Sequence, residues 1–324
     1  MTDLYPLLLD PSLHVKVWGG RKLQTVLHKQ LPTDEPYGES WDMHDSAVIV
    51  NGAFAGQSIG DLLKTHGADI LGAGGDPAEG MPLLVKFLDA NDWLSVQVHP
   101  NDEQAKALEG DPRGKTEAWY IISVEPNSQL VIGVQPGTTR EQMAEAIRNG
   151  TLESLLEYAT VQPGDVLLNN AGGIHALGPG IVIYEIQQSS DVTYRLYDWN
   201  RVDLNGTPRQ LHIEKGVAVS NIDALPEIQH TADPNASHIE AVRSPYFVTD
   251  LYQLSTSGLP SVQLNTKGRH FDILTCIEGD ALVSSAQGQV SFTAGQTVLI
   301  PAVLGAYTLA GNTIARILVS YQPL

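Results

Sequence analysis

Trp93-Leu-Ser-Val-Gln-Val-His-Pro-Asn-Asp102, answered by Gly114-Lys-Thr-Glu-Ala-Trp-Tyr120, is the stretch from which the rest of the chain can be read. Leu94, Val96 and Val98 alternate with Ser95, Gln97 and His99. Side chains on a strand point to opposite faces with a period of two, so the alternation predicts a strand with one apolar and one polar face. The polar face is unusual. A Gln and a His two residues apart, with Glu117 on the strand expected next, converge as the ligands of an ion would. Taken alone, His99 reads equally well as an ordinary half-buried histidine on a wet face, and the remaining chain must decide.

The chain has 324 residues, enough for one large domain or two of ordinary size. Thirty Gly and nineteen Pro, with few long helical patterns, lean towards a turn-rich, strand-rich fold. Nineteen Lys and Arg against 37 Asp and Glu leave a formal charge of −18. Nucleic acid and anionic membranes are bound through basic surface, so neither is expected as the main partner. An anionic ligand would need a small cationic pocket in this field, which makes the few lysines and arginines informative. The single Cys276 excludes an internal disulfide and a thiolate metal cluster and fits a reducing compartment. With no secretory pattern at the N-terminus and no apolar run of membrane-spanning length, a soluble cytoplasmic protein is expected.

Strand candidates at His14–Trp18 and Ser46–Val50 precede Asn51-Gly52, a hairpin signal. Between them Gly38-Glu-Ser-Trp-Asp42 carries an acid and an indole, either a loop with a packed Trp or part of a site. Ile59, Leu62, Leu63 and Ile70 predict a helix over 58–71. Pro82–Leu88 reads as a strand buried on both faces and interrupted by Lys86. An ammonium there is costly unless an anion meets it, so Lys86 is assigned to a pocket rather than to the surface. Asn101–Leu108 reads as a short capped helix. A helical insertion over about 138–158 follows, with the capping-box spacing Thr138-Thr-Arg-Glu141 and a second amphipathic piece at Leu152, Leu155 and Leu156. It is expected to cap one end of a barrel.

From Val161 to Trp199 strands dominate, with a glycine-rich turn before His175, Glu185 inside a buried strand, and Thr193, Arg195 and Tyr197 on one face. Proline-rich connections mark 223–245. The tail contains an echo: Gly295–Leu309 repeats the outline of Gly164–Leu177, with Tyr307 where the first copy has His175. Two related barrels, only the first keeping ion ligands, is the simplest account. Gln97, His99, Glu117 and His175 then make a set suited to a divalent transition metal, zinc first. Cupin barrels assemble a metal from this order of ligands.

The segments Val17-Trp-Gly-Gly-Arg21, Gly38-Glu-Ser-Trp41, Val85-Lys-Phe-Leu88, Leu94–Asp102, Gly114-Lys-Thr-Glu117 and Glu185–Asp198 resemble the type I phosphomannose isomerases, in their short bacterial form, a branch of the cupin superfamily. They cover residues 14–201 in the family's order. The resemblance implies a mainly β fold of two cupin-type jelly-roll barrels with a small helical insertion in the first. Residues 1–235 would form the metal-binding catalytic domain and 236–324 a degenerate cupin-like domain without metal ligands. It further implies an aldose–ketose isomerase interconverting mannose 6-phosphate and fructose 6-phosphate through an enediolate. One Zn2+ per chain would sit on Gln97, His99, Glu117 and His175. Arg195, Lys115, Glu185 and Asp191 fall at catalytic positions, and Trp18, Glu39, Lys86, Ser95 and Lys115 at substrate-binding ones. Gly114 stands where some longer relatives carry a His, so no proton relay through that His carries over. Asn170 stands where cupins commonly have Pro. The expected partner is a small sugar phosphate, with the chain a monomer or homodimer. The rivals are a non-catalytic sugar-phosphate-binding cupin and a metal cupin oxygenase, the latter disfavoured by Gln97 in place of a third imidazole.

Overall fold

The computed structural model describes residues 3–73, 75–231, 233, 236–312 and 314–323. Runs of β-branched and aromatic residues broken by Gly and Pro give a mainly β protein built from layered antiparallel sheets. One seven-stranded sheet runs in the order Ile228–His230, Asp165–Asn169, Glu117–Val124, Ile181–Gln188, Leu83–Ala90, Tyr37–Met43, Ser12–Gly20. It is faced by the three strands Ala176–Leu177, Gln129–Val134 and Leu156–Thr160 and by the pair Val96–Val98 and Tyr194–Tyr197. A second seven-stranded sheet and a four-stranded one, Ser261–Asn265, Ala306–Gly311, Asp280–Ser285 and Gly288–Thr293, form the other unit. These are the two jelly-roll units expected, layered rather than closed into barrels.

The units share strands as well as a core. Leu7–Asp10 and Val48–Ile49 extend the second seven-stranded sheet beyond Thr297–Ile300. The two large sheets pack back to back through Phe87, Tyr184, Phe247, Phe271 and Ile317, and the Tyr184 and Ser320 hydroxyls meet across them at 2.8 Å. This explains the near-continuous apolar runs. Leu83–Ala90 and Ile181–Gln188 are buried at every position because one face lies in this shared core and the other lines the interior of the first unit. No helix among the described residues is long and apolar enough to cross a membrane.

Local expectations fare unevenly. Helix Ile59–Leu71 is capped by Ser58, whose side chain accepts from Asp61 N, and helix Asp102–Glu109 begins with a reciprocal capping box between Asn101 and Gln104. Asn51-Gly52 does not form a two-residue turn; the chain turns back over a longer loop, with Val48 bridging Ser58 antiparallel and Ile49 N donating to Gln57 O at 2.9 Å. The Asn51 amide is engaged by the N-terminal strand, accepting from Leu8 N at 2.9 Å and donating to Pro6 O at 3.0 Å, and Gly52 opens a short 3-10 turn. In the insertion the capping box is formed by Thr139 and Gln142, one residue beyond the expected pair. The second helical piece is a single 3-10 turn, Leu152–Leu155, after which the chain pairs as strand Leu156–Thr160 with Gln129–Val134. Gly38–Asp42 is strand, not loop. The connection over 223–245 contributes strands Ile228–His230 and His238–Arg243; Pro234 and Asn235, beside the expected domain boundary, lie outside the described residues.

Candidate metal centre and its cavity

The opening stretch forms only a short strand, Val96–Val98, ended by Pro100. Its neighbours are what give it meaning. Gln97 exchanges both backbone hydrogen bonds with His175, at 3.0 Å each, and faces Arg195 in the antiparallel pair on its other side. Glu117 begins the long strand that answers it. His99, Glu117 and His175 thereby come together, all buried, with ligand atoms within 4.8 Å of one another.

Both histidines are oriented from behind. His99 Nδ1 donates to Val192 O at 2.9 Å and His175 Nδ1 to Gly173 O at 3.1 Å. A carbonyl only accepts, so the proton sits on Nδ1 and each Nε2 presents a lone pair inward, as in histidine metal sites. Burial, then the Lys115 ammonium, holds His99 well below the ordinary imidazole range and so keeps it neutral. Burial alone would raise the Glu117 carboxyl, but Lys115, His175 and His99 together hold it well below the usual carboxylate range. His175 Nε2 stands 3.1 Å from Glu117 Oε1, and Lys115 Nζ 2.9 Å from Oε2. Even so, both Glu117 oxygens and His175 Nε2 lack a well-directed hydrogen bond. Buried polar atoms are rarely left so. His175 Nε2 and both Glu117 oxygens, under-bonded and close to His99 Nε2, whose one partner is Lys115 Nζ at 3.3 Å, fit a divalent cation such as zinc.

Lys115, ion-paired to Glu117, also lines a cavity of about 440 Å³. Every other residue expected from sequence lines it: Trp18, Glu39, Lys86, Ser95 and Gln97, with Lys115, Glu185, Asp191 and Arg195. Register explains the convergence. Trp41, Lys86, Glu185 and Trp119 lie side by side on four neighbouring strands, and Glu39 pairs with His14 on one flank and Leu88 on the other.

Lys86 is buried, 3.4 Å from Glu185 and over the Trp41 ring at 4.9 Å, so its interruption of an apolar strand is an ion pair at the cavity wall. Glu39 is held down at about 2 despite its burial by Lys86 and Lys16, with Trp41 Nε1 donating to it at 2.7 Å. Glu185 accepts from Trp119 Nε1 at 2.8 Å, and burial, reinforced by Glu117, pushes its carboxyl up. Lys115, although buried, is pushed up by Glu117 and Glu185.

Sequence reasoning missed His14, Lys16, Thr193 and Arg209 as cavity residues, and left Trp41 undecided. His14 and Lys16 stand at two-residue steps from Trp18, so a period-two reading of that strand would have found them. Arg209 carries no such signal: it reaches the cavity from an irregular segment because Asp198 holds its guanidinium through Nε at 2.8 Å and Nη2 at 2.5 Å. Gly114 is required where it stands, since a Cβ would lie 2.4 Å from Asn101 C and 2.6 Å from Pro100 O. No histidine can occupy that position on this backbone.

A jelly-roll unit with a buried His–Glu–His cluster beside a cationic cavity is the architecture of a cupin with a candidate metal site. Residues 7–120 match the family description "Phosphomannose isomerase type I, catalytic domain" and residues 238–322 match "Mannose-6-phosphate isomerase, cupin domain". The "Probable mannose-6-phosphate isomerase" of Bacillus subtilis is 35% identical over 317 residues, covering 95% of this chain and 97% of that one. The mannose-6-phosphate isomerase of Streptococcus mutans is 32% identical over 314 residues, covering 95% and 96%. The crystal structure of the Bacillus subtilis mannose 6-phosphate isomerase superposes with a TM-score of 0.86 at 28% identity, over 98% of this chain and 99% of that one. The chain belongs to the type I phosphomannose isomerase family, and by that membership it is an isomerase.

Proposed function

We propose that the chain interconverts mannose 6-phosphate and fructose 6-phosphate through an enediolate, on a zinc centre held by Gln97, His99, Glu117 and His175. The observation that carries this reading is the buried His99–Glu117–His175 triad, joined through Lys115 to a cavity lined by five cations, Lys16, Lys86, Lys115, Arg195 and Arg209. Three carboxylates, Glu39, Glu185 and Asp191, line the same walls. In a chain of charge −18 this local excess of cations suits a phosphate dianion. Residues 1–235 are taken as the catalytic domain and 236–324 as its metal-free companion, and the lone buried Cys276 fits a cytoplasmic location.

Exchange of aldose and ketose moves a proton between two adjacent carbons while negative charge builds on their oxygens. A bound zinc would act as a Lewis acid towards those oxygens. Arg195 is suited to share that charge: its Nη1 donates to Gln210 O at 3.0 Å, whereas its buried Nε has no partner. Glu185 is the group we assign to carry the proton. It is buried on the cavity wall, and its raised carboxyl is a stronger base than an ordinary one once ionised. Lys115, held up by Glu117 and Glu185, balances Glu117 and supplies positive potential. Ser95 and Lys86 are assigned to the phosphate end, and Trp18 and Glu39 to the wall that shapes the sugar subsite.

The test is turnover of mannose 6-phosphate in an assay coupled to fructose 6-phosphate, with zinc content measured on the same samples. The unaltered chain is expected to turn over with one zinc bound. Arg195→Ala should keep the zinc and lose roughly 10²–10³-fold in rate. A zinc-loaded chain that binds mannose 6-phosphate and forms no product would leave the non-catalytic binding protein as the reading.

A further inference from the structure

Glu117 stands between two buried amides. It is paired across the sheet with Asn169, the last residue of Asp165–Asn169, and with Gln187 in Ile181–Gln188. Directly opposite residues on antiparallel strands project on the same face with Cβ atoms about 4.5–5.5 Å apart. Both amides are buried, and each leaves one polar atom without a partner: Asn169 Nδ2, a donor, and Gln187 Oε1, an acceptor.

The Gln187 amide cannot flip to relieve this. Its Nε2 donates to Gln188 O at 2.9 Å and to Ser190 O at 2.8 Å, and both partners can only accept. Oε1 is thereby locked as a free acceptor. Unpaired atoms on both neighbours of an under-bonded carboxylate are costly unless a charge at the centre engages them. The second unit shows the alternative. Asp272 begins its strand as Glu117 does and pairs with Ile300, which ends its strand as Asn169 does. Where the carboxylate meets a tyrosine instead of the histidine centre, the flanking position is apolar.

We infer that Asn169 and Gln187 are positioning residues of the metal centre. Once a cation is bound, Asn169 Nδ2, now unpaired beside Glu117, is placed to donate to its carboxylate, and the Gln187 oxygen adds negative potential where the cation sits. This rests on the metal reading above and extends it to two residues with no ligand role. Groups that orient metal ligands typically contribute 10–100-fold in affinity.

The experiment is a zinc titration against a chromophoric chelator on the full chain, unaltered and as Asn169→Leu and Gln187→Met, with the melting temperature of each taken metal-free. The expected result is zinc bound about 10–100-fold more weakly by the variants. Because Asn169→Leu removes a buried unpaired donor, its metal-free melting temperature should hold or rise. Affinities within about twofold of the unaltered chain in both variants would overturn the inference and leave the metal reading intact. So would an affinity loss that only tracks a fall in metal-free melting temperature in both, which is what plain packing residues would show. An unaltered chain that holds no zinc leaves no centre to position and overturns both.

Discussion

Two places in this molecule occupy the same position in the same architecture and have opposite chemistry. In the first unit Glu117 opens a strand and meets His175 beyond a glycine-rich turn, and in the second Asp272 opens a strand and meets Tyr307. Around Glu117 the polar atoms are close but badly directed at one another. At Asp272, the Tyr307 hydroxyl donates to Oδ2 at 2.6 Å and His270 Nδ1 lies 2.9 Å from Oδ1. The second carboxylate has one oxygen satisfied by the tyrosine hydroxyl and only Oδ1 without a well-directed bond, whereas neither oxygen of the first is satisfied. A hydroxyl in place of an imidazole decides it: a buried tyrosine, held far above its ordinary range, remains a proton donor, whereas a neutral imidazole offers a lone pair.

The largest effect should separate these two carboxylates. Glu117→Ala is expected to lose the bound zinc and to fall in rate by on the order of 10³-fold or more, because the centre loses its one anionic ligand and Lys115 its partner. Asp272→Ala is expected to keep full zinc and full rate while losing about 1–3 kcal/mol of stability. Zinc stoichiometry by elemental analysis and rate on one preparation of each decide the matter. Equal zinc loss in both would mean that the second unit also holds a metal, and the contrast would fall.

Next in size is the proton carrier. Glu185→Gln, which keeps the shape and the Trp119 contact, should lower the rate roughly 10²–10⁴-fold with zinc retained. The pH profile gives the sign. The carboxylate is the active form, and burial followed by Glu117 raises the Glu185 carboxyl, so activity should fall on the acid side at a pH above the ordinary carboxylate range. Above that limb Glu185 stays ionised and the rate levels. A limb at the ordinary value, or one that persists in Glu185→Gln, would assign the proton to another group.

Much of the site was legible because chemistry-bearing residues sit at strand positions where spacing dictates facing. Lys86 in a run of eight buried residues, and Gln97 and His99 two apart, are departures from pattern that a period of two makes visible. Arg209 was not legible, since nothing along an irregular segment says that Asp198 will aim its guanidinium at the cavity. Asn169 and Gln187 were missed for another reason: each reads as a strand-end polar residue until register places both beside Glu117. Asn51-Gly52 lies in a longer loop rather than a two-residue turn, its asparagine amide engaged by the N-terminal segment. The jelly-roll class was legible from alternation and turns. The sharing of Leu7–Asp10 and Val48–Ile49 with the second sheet was not, because strand pairing over hundreds of residues leaves no local mark.

The smallest expected effect sharpens the contrast most. Tyr307→Phe removes one oxygen and leaves the ring to fill the same buried space, so any change reports on the hydrogen bond to Asp272 alone. A hydrogen bond to a charged group contributes about 1.5–3 kcal/mol, and that is the expected loss in denaturant unfolding. Rate and zinc content should not move. Asp272 would then be a buried carboxylate with only His270 beside it, closer to the condition of Glu117 but without a second imidazole or a lysine. If added zinc restores the lost stability of Tyr307→Phe, the tyrosine is what keeps a metal out of the second unit. If zinc leaves it unchanged, the tyrosine hydroxyl contributes stability alone, and metal binding demands the full set of histidines, carboxylate and flanking polar groups that the first unit carries.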